Sequence, residues 1–95
     1  MKYDIILSPE ADEDFKNLNA HDRSTIRDLL EVHLRHEPTR ISKSRIKRLR
    51  GLSRPQYRLR IDEFCVFYDV GVNTVEVLAI ITKSEAARWL KKAGE

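Results

Sequence analysis

The sequence predicts an α+β fold, and three observations predict it. Apolar residues recur at helical spacing near the amino end, they switch to strict alternation after Pro55, and a capping signal reopens a helical pattern after Ile81. The order read from these signals is β-α-α-β-β-β-α, an amino-terminal helical hairpin packed on a mainly antiparallel twisted sheet with a short carboxy-terminal helix. The 95 residues fit one domain over 1–95. A content of 41% hydrophobic and 35% charged residues excludes the collagen-like, coiled-coil and disordered classes.

The opening stretch Lys2-Tyr3-Asp4-Ile5-Ile6-Leu7 has the β-branched and aromatic character of a strand. Ser8-Pro9-Glu10 then reads as a helix start, because serine caps, proline suits the first turn and an acid favours the positive end. Ala11, Phe15 and Leu18 continue at helical spacing to Asn19, which caps a second helix carrying Ile26, Leu29, Leu30 and Leu34 on one stripe. Pro38 is expected to end that helix. Between Pro38 and Pro55 no clean period appears, only the spaced apolar anchors Ile41, Ile46, Leu49 and Leu52. A connection of that length without secondary structure is unusual unless it has a function.

After Pro55, Tyr57, Leu59 and Ile61 alternate with Gln56, Arg58 and Arg60, and Phe64, Val66 and Tyr68 alternate in the next strand. A two-residue turn at Asp62-Glu63 would set Ile61 opposite Phe64 and Arg60 opposite Cys65, with the aromatics inward and the arginines outward. A second turn at Gly71-Val72-Asn73 leads to Val75 through Ile81, apolar on both faces after Glu76 and therefore a central strand. Thr82-x-x-Glu85 has the form of a capping box, opening a helix with Ala86, Trp89 and Leu90 on one side.

The longest purely apolar run, Val77 to Ile81, is far short of the ~20 residues of a membrane span, and the amino terminus lacks a basic-then-apolar signal pattern. A cytoplasmic location is expected. Cys65 is the single cysteine, so no internal disulfide forms and stability has to come from packing. The net charge of +3 conceals a strong polarity: from Arg35 to Arg60 there are ten Lys/Arg, Lys47, Arg48 and Arg54 among them, against the single acid Glu37. Such a segment attracts polyanions, although by composition alone it also reads as a solvated basic face.

Arg58 and Arg60 are two positions apart and project from one sheet face about 6–7 Å from each other. At a partly buried effective dielectric near ~20 their repulsion costs roughly 2 kcal/mol, so the pair is cheap only at a wet surface or opposite an anion. Two converging guanidinium groups can grip a phosphate and stabilise negative charge as it develops. Arg48 and Arg50, with Leu49 between them, are candidates to extend this wall, and ordinary solvent-facing arginines are the alternative. His21, His33 and His36 lack the partners of a metal site, and no metal or other cofactor is expected. Cys65 has no histidine set to activate it, and the three glycines form no phosphate loop.

Arg48-Leu49-Arg50-Gly51-Leu52, Tyr57-Arg58-Leu59-Arg60-Ile61, Phe64-Cys65-Val66-Phe67-Tyr68 and Ile80-Ile81-Thr82-Lys83-Ser84 before a helix together resemble the RelE/ParE superfamily of bacterial toxins. With the helical hairpin, the resemblance covers essentially the whole chain and is closer to RelE. It implies the toxin half of a toxin-antitoxin pair, with a cognate antitoxin protein as partner. RelE-like members cleave messenger RNA on the ribosome by attack of a ribose 2′-hydroxyl on its adjacent phosphate, and thereby inhibit translation. ParE-like members poison DNA gyrase without a nuclease site, and an inactive domain that only binds antitoxin or RNA would present the same surface. Neither kind uses a metal.

Position by position, the resemblance places Arg58 and Arg60 where RelE-like nucleases have basic residues lining the cleft, with Arg50 beside them. Cys65, Lys83 and Trp89 depart from the pattern, which commonly has arginine, arginine and, in RelE itself, tyrosine at these places. Arginine stays protonated and is a poor base, so Lys83 becomes the candidate to give or take a proton. Tyr57 points away from the arginines in this register. Trp89 can stack on an unpaired base or pack in the core. The site expected on this basis comprises Arg58, Arg60 and Lys83 for catalysis and Lys47, Arg48, Arg50, Arg54 and Trp89 for RNA binding.

Overall fold

In the computed structural model, which describes residues 2–51 and 53–93, the β-branched opening segment forms β1 (Asp4–Leu7). Ser8 then caps α1 (Pro9–Lys16): its Oγ accepts from the Ala11 N–H at 3.1 Å, while its own O–H reaches the Leu78 carbonyl at 3.2 Å. One side chain thus starts the helix and ties it to the sheet. Asn19 caps α2 (Ala20–Leu34) in the same way, Oδ1 accepting from the Asp22 N–H at 2.8 Å. Ile26, Leu30 and Leu34, at i, i+4 and i+8, form the buried stripe that the spacing predicts.

α2 stops at Leu34 rather than at Pro38. The Arg35 carbonyl accepts from the Tyr3 N–H at 2.7 Å and the Arg35 guanidinium donates to the Tyr3 carbonyl at 2.9 Å, so the chain end of the helix bonds to the start of β1 instead of to a further turn. Pro38 is buried, and its carbonyl accepts the Tyr68 hydroxyl at 2.7 Å.

The remaining elements are β2 (Ile46–Arg48), β3 (Tyr57–Ile61), β4 (Phe64–Val70), β5 (Thr74–Thr82) and α3 (Lys83–Ala93). The fold is α+β with a mainly antiparallel sheet, as expected, and it adds one element. The segment read as an irregular connection contains β2, whose three residues are too few to show an alternation but pair antiparallel with β3. The sheet order is β1-β5-β4-β3-β2, and β1 runs parallel to β5, so the sheet is mixed. Leu52, expected as an anchor, lies outside the described residues.

The helical hairpin covers one face of this sheet. Its buried residues pack with Leu59, Ile61, Val66, Tyr68, Val75 and Val77. A second, smaller cluster of Cys65, Phe67 and Ala79 lies on the other face under Leu49, Ile81, Ala86, Trp89 and Leu90, the last three from α3. Both faces of β5 are therefore covered, which is why its sequence is apolar on both. At the β3–β4 turn Asp62 takes φ 50°, and the register sets Ile61 opposite Phe64 and Arg60 opposite Cys65 as the alternation requires. No helix among the described residues is long and apolar enough to cross a membrane.

Two outcomes follow from these contacts. Tyr68→Phe leaves the buried Pro38 carbonyl without its donor and is expected to cost about 1–3 kcal/mol in urea unfolding. Asp14 accepts the Ile80 N–H at 3.0 Å, and burial holds its carboxyl above the ordinary 3.8, with Glu85, Glu10 and Glu13 adding to the effect and the Ile80 bond opposing it. A carboxyl that binds its proton more tightly folded than unfolded stabilises the fold in acid, fully below its unfolded value, and loses that contribution as pH rises through its folded value. Asp14→Asn should therefore raise the melting temperature at about pH 7 and give no gain near about pH 3, as read by thermal unfolding at the two values.

Candidate nucleic-acid interface

The pleat of β3 decides where the arginines go. Leu59 and Ile61 are fully buried on the hairpin side, so Arg58 and Arg60 must project from the opposite face. Their neighbours across β4 are Phe67 and Cys65, and Lys47 of β2 stands directly opposite Arg58 on the same face. Lys47, Arg58 and Arg60 thus form a basic surface beside the apolar Cys65–Phe67–Ala79 cluster, with α3 packed on the far side of that cluster.

The two arginines are half-buried, and the Nε atom of each is fully enclosed without a hydrogen-bond partner among the described residues. An enclosed unmatched donor costs about 1–3 kcal/mol and more when it belongs to a cation. Here two such donors lie one strand pleat apart on groups of like charge. The remaining guanidinium nitrogens have no carboxylate partner among the described residues. An anion with several acceptor oxygens, held by those remaining nitrogens, would cancel the repulsion.

Lys83 opens α3 at the Arg60 end of this face. Its N–H donates to the Glu63 carbonyl at 2.8 Å, and Glu85 accepts the Thr82 hydroxyl at 2.7 Å and the Thr82 N–H at 3.4 Å. These bonds hold Glu85 below the usual carboxylate range and fasten the helix start to the β3–β4 turn. The Lys83 residue itself is exposed.

Of the other expected residues, Arg48 and Arg54 are engaged elsewhere, while Trp89 reaches this face as part of its apolar cluster. Arg48 shares the hairpin side with Tyr57: its guanidinium lies 5.1 Å from the Tyr57 ring centroid and donates to the Gln56 carbonyl at 2.8 Å. The wall of Arg48 and Arg50 expected from the sequence is therefore not formed, because Leu49 is the residue of that trio in the apolar cluster facing α3. Arg50 is exposed just beyond β2. Arg54 pairs with Asp69 at 2.7 Å and Glu76 at 2.8 Å, which raises its affinity for its proton and neutralises it. Asp69 and Glu76 are cross-strand neighbours, and a pair of facing carboxylates needs such a cation. Trp89 stacks on Phe67 with ring centroids 4.9 Å apart and planes at 8°, so one of its faces already belongs to the core.

Among the described residues no group of His, Cys, Asp and Glu could hold a metal ion. What these residues can do is bind a phosphate and stabilise added charge on it. The class of molecule they define is a small basic α+β protein with three cations on one sheet face.

No family model and no curated protein matches the sequence. Solved structures do match its shape. A mutant of the Escherichia coli toxin RelE in the free state superposes with a TM-score of 0.73 and 23% identity, covering 98% of this chain and 95% of that one. The toxin-antitoxin complex RelBE2 from Mycobacterium tuberculosis gives 0.72 and 19%, covering 87% and 100%. The E. coli DinJ-YafQ toxin-antitoxin complex gives 0.65 and 16%, covering 92% and 97%. The chain has the RelE fold.

Removing Arg54 tests its assignment as a structural ion pair. Arg54→Ala should lower stability by about 1 kcal/mol, less at high salt, because it leaves Asp69 and Glu76 facing each other. RNA retention on a filter should not fall below that of the parent protein.

Proposed function

We propose that the protein is the toxin of a toxin-antitoxin pair and cleaves messenger RNA on the ribosome. The observation that carries the reading is the placement of Arg58 and Arg60 beside Lys47 on one sheet face, with no carboxylate partner for either arginine among the described residues. The RelE fold supports it, since the neighbours of this shape include toxins and complexes of toxins with antitoxins.

The reaction needs no cofactor. A ribose 2′-oxygen attacks the adjacent phosphorus as its proton leaves, the bond from phosphorus to the 5′-oxygen breaks, and that oxygen takes up a proton. Arg58 and Arg60 grip the non-bridging oxygens and stabilise the charge that accumulates on them. Lys47 steadies the flanking backbone. Lys83, an ammonium at the Arg60 end of the same face, supplies the proton to the leaving oxygen. Arginine cannot accept the 2′-proton, so the acceptor comes from the ribosome or from solvent held there. Proton transfer by a positioned group is worth ~10² to 10⁴ in rate, and a charge clamp ~10² to 10³, so the clamp alone supports slow cleavage.

Expression induced in growing cells tests this. The expected result is arrest of protein synthesis with transcripts cut at defined positions, and Arg60→Ala should reduce cleavage by about 10² to 10³ without loss of stability. Double-strand DNA breaks without transcript cleavage would instead support a gyrase poison, and unimpaired growth a domain that only binds antitoxin or RNA. Affinity for the cognate antitoxin is expected to weaken as salt is added, given the positive charge it would cover.

A further inference from the structure

Most of the basic segment has no part in the surface just described. Residues 37–45 leave α2, pass the buried Pro38 and fold back to β2, and between them and the end of α2 they enclose a cavity of about 320 Å³. Its polar lining is His33, Glu37, Arg40, Ser42, Ser44 and Arg45. Glu37 and Arg40 pair at 3.2 Å on the exposed rim, which leaves Arg45 as the cation without a carboxylate partner among the described residues.

Arg45 is half-buried and makes, among the described residues, a single side-chain hydrogen bond, from Nη1 to the Arg60 carbonyl at 3.3 Å. A guanidinium has five N–H donors, so most of its capacity remains. Ser42 Oγ accepts from the N–H groups of Arg45 at 3.1 Å and Ile46 at 3.0 Å. With both lone pairs engaged, its own O–H can only donate, and Ser44 brings a second hydroxyl to the same wall. The charge is felt inside the cavity: burial and then Arg45 hold His33 below its ordinary value, so the imidazole stays neutral and offers one further N–H. Arg45, Ser42, Ser44 and His33 line one space whose single carboxylate, Glu37, is already paired with Arg40.

We propose that this cavity is a second anion site, and that it takes a phosphoryl group. A carboxylate offers two acceptor oxygens, whereas a phosphoryl offers three and matches the fork together with hydroxyls arranged around it. The volume exceeds that of a phosphoryl group, leaving room for whatever carries it. That carrier can be a free phosphate monoester or the backbone of a nucleic acid rounding the β2 edge, since both present the same oxygens. The site lies at the start of β2, where Ile46 and Val32 line it, and none of Lys47, Arg58 and Arg60 is in its lining, although the Arg45 carbonyl accepts the Arg60 N–H at 2.8 Å.

The test uses the full chain carrying Arg58→Ala and Arg60→Ala, so that the other face cannot report. Amide resonances are followed during titration with sodium phosphate, with adenosine monophosphate and with a short single-stranded RNA lacking terminal phosphate, all at constant ionic strength. Saturable shifts are expected at Val32, His33, Ser42, Ser44 and Ile46 with at least one of the three. They should weaken by about tenfold or more on adding Arg45→Ala, and by less with Arg40→Ala, whose exposed side chain is not needed for folding. Response to the monoesters alone identifies a free phosphate compound as the ligand, and response to the RNA identifies its backbone. No saturable shift with any probe, or shifts that survive Arg45→Ala in a protein whose other resonances are unchanged, would overturn the proposal. Cleavage does not enter this experiment, so its outcome is independent of the nuclease reading.

Discussion

Burying Leu59 and Ile61 against the helical hairpin leaves Arg58 and Arg60 a single direction to take. In a strand the side chains alternate, and a slip of one residue would put both arginines into the main core and two large aliphatic groups into water. Exchanging the two sets would cost the transfer energy of two fully buried aliphatic side chains, roughly 3–6 kcal/mol, before any penalty for burying cations. Neighbouring elements reinforce the same register: the Asp62-Glu63 turn sets it from one end and Tyr57 stacked on Tyr68 from the other, with ring centroids 5.4 Å apart.

The other face is built to a different rule. Among the described residues only Cys65, Phe67 and Ala79 are buried there, and α3 contributes no buried residue, so the helix lies over this face without enclosing it. The basic groups stand at the margin of that small apolar patch, where water and a polyanion can reach them while low-dielectric neighbours strengthen their field. Charge is sorted accordingly. Arg35 is taken by Glu31, Arg40 by Glu37 and Arg54 by Asp69 and Glu76, while Lys47, Arg58 and Arg60 are left to face outward and Arg45 to face the second cavity.

Much of this was legible in residue order. The caps at Ser8 and Asn19, the hairpin register at Asp62-Glu63 and the placement of Arg58 with Arg60 all depend on residues within a few positions of each other, where local geometry leaves little freedom. β2 was not legible, because three residues carry no period and their pairing with β3 is chosen by the sheet. Nor was the fate of Arg54, which sits 15 and 22 residues from its two carboxylates. Arg48 and Arg50 flank Leu49, and the face that each takes depends on where Leu49 packs. With Leu49 in the α3-side cluster, Arg48 falls on the opposite face, over Tyr57.

The amino-acid sequence by itself determined the kind of elements, their order and the concentration of positive charge, since periodicity, capping and composition are properties of neighbouring residues. Only the tertiary structure decided which of those charges remain available. An ion pair, a parallel pairing such as β1 with β5, or the hydrogen bond from Tyr68 to Pro38 joins residues that the chain keeps far apart. Which partners meet is settled by packing the two faces of one sheet, and that packing leaves Arg58 and Arg60 without a carboxylate partner among the described residues.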